Sequence, residues 1–269
     1  VIIHLAGKSH DTKNKSSEQE YYNINVELTK KIFQYFLKSS SSKFIFLSSV
    51  KAVADSVANS ELTENVLPRP KTNYGKSKLA AEQYIINELQ KWQTEEKENQ
   101  RDGGWKKIFI LRPCMIHGPG NKGNLNQLFT MQRRGLPWPL GAYENKRSFC
   151  SVDNILFIIL QLVEKNIEPG IYQVSDDIAI STNELIKLIA ESQNKNPVIW
   201  KIPVNLIKII ALVGDFLYLP LNNERLKKLT ESYIVSNQKI KQALGIEKMP
   251  VLAIDGIRKT LESFAKSIE

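Results

Sequence analysis

FIFLSSV, residues 44–50, is an unbroken apolar run that ends on two serines. A half-exposed strand would alternate apolar and polar residues, so a continuous run suits a β-strand covered on both faces. Two runs of the same kind flank it: VIIHLA at 1–6, and KKIFILRP at 106–113, which Pro113 stops. Between the first two runs, polar residues 7–19 read as a loop. From Tyr21 to Leu37 apolar or small residues then recur at Tyr22, Val26, Thr29, Phe33 and Phe36, the spacing of an amphipathic helix. After FIFLSSV, residues 50–72 read as irregular, with Pro68 and Pro70. A helix is expected from near Tyr74 past Trp92, carried by Leu79, Tyr84, Ile85 and Leu89. Its tail, QTEEKENQRDGG, reads as a solvated helix end closed by Gly103 and Gly104. Strand–helix–strand–helix–strand implies right-handed crossovers and a parallel, doubly wound α/β sheet.

Beyond Pro113 the pattern loosens. Prolines and glycines punctuate 113–141. Helices are expected at 153–165, 181–193, 204–219 and 255–266, with a short strand at 171–174. This second half reads as α+β.

The composition bounds the function. With 269 residues, one large or two modest domains are expected. The net charge of +9 comes from scattered lysines. No basic stripe is interleaved with aromatics, so nucleic acid is not the expected partner, and the charge suits an anionic small substrate. Cys114 and Cys150 have no metal spacing, and no metal site is expected. A reduced, cytoplasmic setting follows from such sparse cysteine use. The first residues read as a strand rather than a signal peptide. IPVNLIKIIALVGDFLYLPL, 202–221, is the most apolar segment, but Lys208, Gly214 and Asp215 interrupt it. It is expected to be a buried or half-buried helix, with no stable membrane insertion.

The chemistry is carried by YGKSK, 74–78. Tyr74 and Lys78 stand at i and i+4, one above the other on a helix face. A free phenol has a pKa of about 10, too high for a base at neutral pH. A nearby ammonium favours the phenolate, so the pair can exchange a proton with a hydroxyl or carbonyl. Ser49, at the carboxyl end of its strand, can hydrogen-bond the same oxygen. In open α/β sheets the ligand crevice lies at those strand ends. A Tyr–Lys pair alone is a weak signal; strand-end serines followed by YGKSK make a stronger one.

With HLAG (4–7), NINVELT (23–29), LRPCMIHGPGNKGN (111–124), RSFCSVDNI (147–155) and SNQKIKQALGI (236–246), these motifs make the chain resemble an extended short-chain dehydrogenase/reductase. Its likeness is to the NAD-dependent epimerase/dehydratase family, and within it to bacterial UDP-glucose and UDP-N-acetylglucosamine 4-epimerases. The resemblance implies a Rossmann-like sheet with a smaller α+β substrate domain. Residues 1–120, with 149–165 packing back, would form the NAD-binding part, and 121–269 mainly the nucleotide-sugar part. It also implies that HLAG is a fourth strand, with roughly sixty residues carrying the Gly-rich turn before it. The Rossmann part would then lack its N-terminal strands.

Roles follow from the resemblance residue by residue. Leu5, Ala6 and Gly7 would line the adenosine–phosphate side of NAD, and Asn25 would stand behind the nicotinamide region. Leu47 and Ser48 would run along the nicotinamide ribose, and Pro113 and Ile116 would border the ring. Tyr74 would be general base and acid, Lys78 would lower its pKa and hold the ribose, and Ser49 would hold the reacting sugar hydroxyl. Lys51, Asn124, Leu125, Arg147, Asp153 and Arg225 would contact the nucleotide sugar. An arginine fork suits phosphate oxygens, being planar and always charged. Asp153 would contact the nucleotide or hold its loop. A homodimer through the helices at 21–37 and 74–92 is implied too.

Some positions depart from the family. Met115 stands where an asparagine is common, and His117 where a tyrosine is common. Family dehydratases follow the serine with an Asp-Glu pair that supplies acid and base. Here Val50 and Lys51 take those places, which argues against dehydration. C4 epimerisation of a UDP-hexose through a transient 4-keto sugar is the favoured expectation. Reduction of a nucleotide-4-ketosugar is the alternative, and a non-catalytic dinucleotide sensor or an inactive fragment is the non-enzyme one.

Overall fold

The three apolar runs become neighbouring strands of one sheet. The computed structural model describes residues 1–9, 17–57, 61–98, 105–121, 123–217 and 222–266. Its main sheet has four parallel strands in sequential order: β1 (Ile2–His4), β2 (Lys43–Leu47), β3 (Lys107–Pro113) and β4 (Gly170–Val174). The register sets Phe46 beside His4, Leu47 beside Leu111, and Pro113 beside Val174.

Both faces of β2 and β3 are covered, which is why they read as continuous apolar runs, while at the edge Ile3 of β1 is exposed. Phe44, Phe46, Ile108 and Ile110 face one side. There they meet Phe33 and Phe36 of α1 (Leu28–Lys38), and Ala81 and Ile85 of α2 (Asn73–Glu98). The alternate residues Ile45, Phe109 and Leu111 face the other side. They meet Ile155, Ile158 and Leu162 of α3 (Val152–Glu164), which packs back across the sheet. Burying these large side chains fully contributes roughly 1.5–3 kcal/mol each. The same core takes in Val235, Ile240 and Met249, so the chain's second half is continuous with it.

Most expected elements are present within two or three residues of their expected ends. α1 is entered through a capped turn, Glu18–Tyr22, and a π-helical turn, Asn23–Glu27. π-turns are rare and recur at functional sites, and this one carries Asn25. Residues 10–16 of the expected loop, and Gly103 and Gly104 of the expected helix end, lie outside the described residues.

Two features differ from expectation. Residues 50–72 are not wholly irregular: Glu61–Leu62 pairs in parallel with Ile234–Val235, a contact from far along the chain that local pattern cannot reveal. The apolar segment near 204–219 is a helix, Val204–Phe216, but it is not sunk in the core. Only Ile207, Ala211 and Gly214 are buried, while Ile209, Leu212 and Phe216 are exposed. No helix among the described residues is long and apolar enough to cross a membrane.

Candidate active site

Each residue of YGKSK, Lys76 excepted, has a definite contact. Thr72 stands before α2, and its hydroxyl accepts the backbone N–H of Gly75 at 3.2 Å. Asp55 holds Thr72 in turn, accepting from its hydroxyl at 2.9 Å and from Lys71 N at 2.6 Å. Tyr74 follows, near enough to Ser49 for the serine hydroxyl to pull its phenol pKa down. Gly75 abuts the backbone after Ser49: a Cβ there would stand 2.3 Å from the Lys51 carbonyl oxygen. Only glycine allows so close an approach of helix and strand end. Ser77 receives a 2.9 Å hydrogen bond from the Asn25 amide. Lys78 is buried and donates from Nζ to the Leu47 carbonyl at 2.9 Å.

Ser49 is oriented from behind. Its Oγ accepts the Lys51 backbone N–H at 3.2 Å, so its own proton is left for a partner oxygen. Burial, foremost, pushes the Tyr74 phenol up, the Ser49 hydrogen bond pulls it down, and Tyr21 adds an upward push. Tyr21 is a neighbour that the sequence did not single out; its ring lies 6.3 Å from that of Tyr74. The expectation that Lys78 lowers the Tyr74 pKa is not met in this state. Lys78 is not among the groups that shift the phenol, and its ammonium is drawn to Leu47 instead. Burial lowers Lys78 itself from 10.5 to about 8, while Glu82 pulls the other way.

Ser48 and Asn25 serve the scaffold. Ser48 is turned inward, its hydroxyl donating to the Glu82 carboxylate. Glu82 is fully buried and is gripped by Arg112, with Nη2 at 2.5 Å and Nε at 3.0 Å from its oxygens. Ser48 therefore presents its backbone, not its hydroxyl, along the strand end. The Asn25 side chain ties three segments together: it accepts from Lys8 N at 2.7 Å and donates to Lys8 O and Ser77 Oγ. His4, buried and bonded to Thr29 at 2.8 Å, is pushed down to about 4, first by burial and then by the Lys78 charge.

Leu5, Ala6 and Gly7 lie exposed at the carboxyl end of β1. A Cβ on Gly7 would meet Lys78 Nζ at 2.9 Å and Asn25 Oδ1 at 3.0 Å. Pro113 ends β3, and Ile116 sits in the short strand Met115–His117, paired with Phe149–Ser151. These residues and Leu47 form one rim along the carboxyl ends of β1, β2 and β3, with Tyr74 and Lys78 on the helix beside it.

A cavity of ≈350 Å³ adjoins this rim without including Ser49 or Tyr74. Met115, Leu125, Trp138, Arg147, Phe149 and Leu229 help to line it. Arg147 donates to the Lys228 carbonyl, yet its buried Nε, like Trp138 Nε1, has no hydrogen-bond partner among the described residues. Two partnerless buried donors in one lining fit an oxygen-rich ligand, since such groups are costly to leave unpaired. Tyr233 is bridged to Arg147, and Lys51 Nζ lies 4.5 Å from its ring centre. Burial, foremost, lowers Lys51, Asp55 pulls it up, and Arg147 pushes it down.

The remaining expected contacts are dispersed. Asp153 pairs with Lys259 at 2.7 Å, in the first turn of α3, which fits holding the loop. Arg225 is exposed on the helix Asn223–Thr230. The Asn124 side chain lies outside the described residues. His117 is buried between Thr260 at 2.9 Å and Asp176 at 3.4 Å. Among the described residues no cluster could hold a metal.

Residues 1–175 match the NAD dependent epimerase/dehydratase family. The chain belongs to that family. It is 26% identical over 272 residues to the UDP-glucose 4-epimerase of Vibrio cholerae, covering 99% of this chain and 77% of that protein. It is 29% identical over 247 residues to the N-acetyl-alpha-D-glucosaminyl-diphospho-ditrans,octacis-undecaprenol 4-epimerase of Escherichia coli O157:H7, covering 90% and 67%. In fold it is similar to the UDP-glucose 4-epimerase of Thermotoga maritima solved with UDP-glucose. There the TM-score is 0.73 at 21% identity, over 99% of this chain and 77% of that one. The UDP-glucuronic acid 4-epimerase of Bacillus cereus solved with NAD gives 0.72 at 16% identity, over 99% and 74%.

NAD is the family's cofactor, and the rim fits it. Lys78 is a buried ammonium that pairs with no carboxylate among the described residues, and one carbonyl uses only one of its three donors. That leaves donors for ribose hydroxyls. The bare Cα of Gly7 lets Lys78 Nζ and Asn25 Oδ1 lie directly against it, which holds the ammonium at the end of β1.

Proposed function

We propose that this epimerase/dehydratase family member inverts C4 of a UDP-hexose, UDP-N-acetylglucosamine or UDP-glucose, in the cytoplasm, for surface polysaccharide synthesis. The observation that carries the reading is the grouping of Ser49 and Tyr74, close enough for the serine to lower the phenol pKa, beside the buried Lys78. The curated relatives that act as 4-epimerases support it. Val50 and Lys51, in place of a carboxylate pair, oppose dehydration.

Bound NAD supplies the acceptor and later the donor of the C4 hydride. The residues of the chain handle the proton and the orientation. Tyr74 takes the proton of the C4 hydroxyl as the carbon becomes a ketone, and Ser49 donates to that oxygen. The proton returns from Tyr74 to the oxygen once the sugar has turned over. Lys78, through donors left over from Leu47, holds the cofactor ribose. Leu5, Ala6, Gly7, Leu47, Pro113 and Ile116 border the cofactor, while Asn25 and Ser48 fix the loop and strand that carry it. Arg147 and Lys51 bind the diphosphate, and Leu125 packs on the nucleotide. An anchored diphosphate lets the sugar turn without leaving, because its binding energy is remote from the reacting carbon. Tight NAD retention follows, since no net redox change occurs.

The division near residue 120 and a homodimer through α1 and α2 belong to the same proposal. Incubating the protein with UDP-N-acetylglucosamine and UDP-glucose and resolving the 4-epimers tests it. A product that requires added NADH would favour the ketosugar reductase reading instead.

A further inference from the structure

The helix Val204–Phe216 is apolar almost all the way round, yet it lies on the outside of the protein. Ile207, Ala211 and Gly214 face inward, while Leu206, Ile209, Leu212 and Phe216 are exposed, Phe216 to 83%. Apart from Asn205, Lys208 and Asp215 its exposed side is apolar, where a surface helix ordinarily turns polar residues to water. Its 13 residues span about 20 Å, short of the ~30 Å hydrocarbon thickness, so it can lie along a bilayer but not cross it. Trp200, just before the helix, is 54% exposed, and indole rings favour the membrane–water boundary.

The charges beside this face select its partner. Lys201, Lys208 and Lys227 are exposed and pair with no carboxylate among the described residues. Of the nearby carboxylates, Glu224 pairs with Lys228 at 2.5 Å, and Asp215, bonded by the neutral Asn223 amide at 2.6 Å, leaves one negative charge against the three lysines. Lys208, halfway along the helix, can extend its stem over the apolar surface and leave its ammonium at the headgroups. Across a twofold axis, a second copy would bring these cations against their own equivalents, which disfavours self-association.

We propose that Val204–Phe216 docks in the interface of an anionic bilayer, apolar face down, with Lys201, Lys208 and Lys227 on the headgroups. Such docking is separate from the assigned reaction and holds whatever sugar is used. It also has a structural consequence. Ile207 and Ala211 pack in one cluster with Trp138, Leu128 and Met131, and those three line the cavity. Docking therefore sets the cavity wall one helix away from lipid.

Flotation of the full chain with vesicles tests this. Binding is expected to vesicles of phosphatidylglycerol and phosphatidylcholine, to fall about tenfold with phosphatidylcholine alone, and to weaken with salt. The double variant Leu212→Glu/Phe216→Glu, at exposed positions, is expected to lose about tenfold in binding with its thermal melt unchanged. Lys201→Gln/Lys208→Gln should weaken binding and flatten its salt dependence. Failure of the wild type to float would overturn the proposal. So would flotation unchanged in the Leu212/Phe216 variant, or a fall from dimer to monomer in that variant with no lipid binding by the wild type.

Discussion

The Lys78 ammonium and the Leu47 carbonyl are joined at 2.9 Å, fastening α2 to the end of β2. The bond fixes the spacing of Tyr74 and Ser49, because each partner lies on the same element as one of them or next to it. It also buries a charge, and burial brings Lys78 from 10.5 to about 8. Between those values the unfolded chain binds the proton and the folded chain does not. This group's contribution to stability therefore rises with pH across that window, and its cost is full below pH 8. In protein freed of cofactor, Lys78→Met should be more stable than wild type at pH 7 by up to ~3 kcal/mol, because a tenfold change in proton affinity is worth ~1.4 kcal/mol. Urea unfolding midpoints should converge as pH approaches 10.5. A difference that stays constant with pH would remove the buried charge from the account.

Glu82 and Arg112 form a second fastening, from α2 to β3, with Ser48 as third member. Removing one partner leaves a bare charge in the core, which costs about 3–5 kcal/mol. Glu82→Leu or Arg112→Met should thus lower the denaturation midpoint sharply. The double variant Glu82→Leu/Arg112→Met should recover much of the loss.

Gly75 is held to the Lys51 carbonyl by the absence of a side chain. Gly75→Ala would push the helix start from the strand end, since backbone rather than a flexible tip is in the way. Overpacking of this kind costs typically about 1–3 kcal/mol. The displacement of Tyr74 from Ser49 should lower turnover by more than the stability change alone explains. Turnover measured well below the melting temperature checks this.

Arg147 and Trp138 each contribute a partnerless buried donor to the cavity lining. If Arg147 grips the substrate's diphosphate, Arg147→Ala should raise KM by about tenfold or more, a loss of roughly 1.5–3 kcal/mol for a charged hydrogen bond. Trp138→Phe should have a smaller effect in the same direction. Isothermal titration with UDP separates binding from turnover, and unchanged UDP affinity in Arg147→Ala would reject the assignment.

Much of this arrangement is legible in the sequence. The strands β2 and β3 announce themselves because both faces are covered, which leaves no polar alternation, and β1 reads the same way although its Ile3 is exposed. YGKSK after SSV carries the catalytic geometry through fixed helical spacing. What stays hidden depends on contacts distant in sequence. Glu61–Leu62 is a strand only because Ile234–Val235 lies beside it. Trp138 and Tyr233 reach the site through loops whose paths no periodicity sets. Ser48 and Ser49 are alike in sequence, and only the position of Glu82 sends one inward. The apolar helix at 204–216 reads as buried or half-buried, because composition gives hydrophobicity but not what covers it.

The most direct test is the epimerisation rate of Tyr74→Phe, with bound NAD and UDP affinity measured on the same preparation. Removing one hydroxyl, and nothing else, should lower turnover by ~10²–10⁴-fold while cofactor and UDP binding are kept. A Tyr74→Phe protein that interconverts C4 epimers at the wild-type rate would contradict the account.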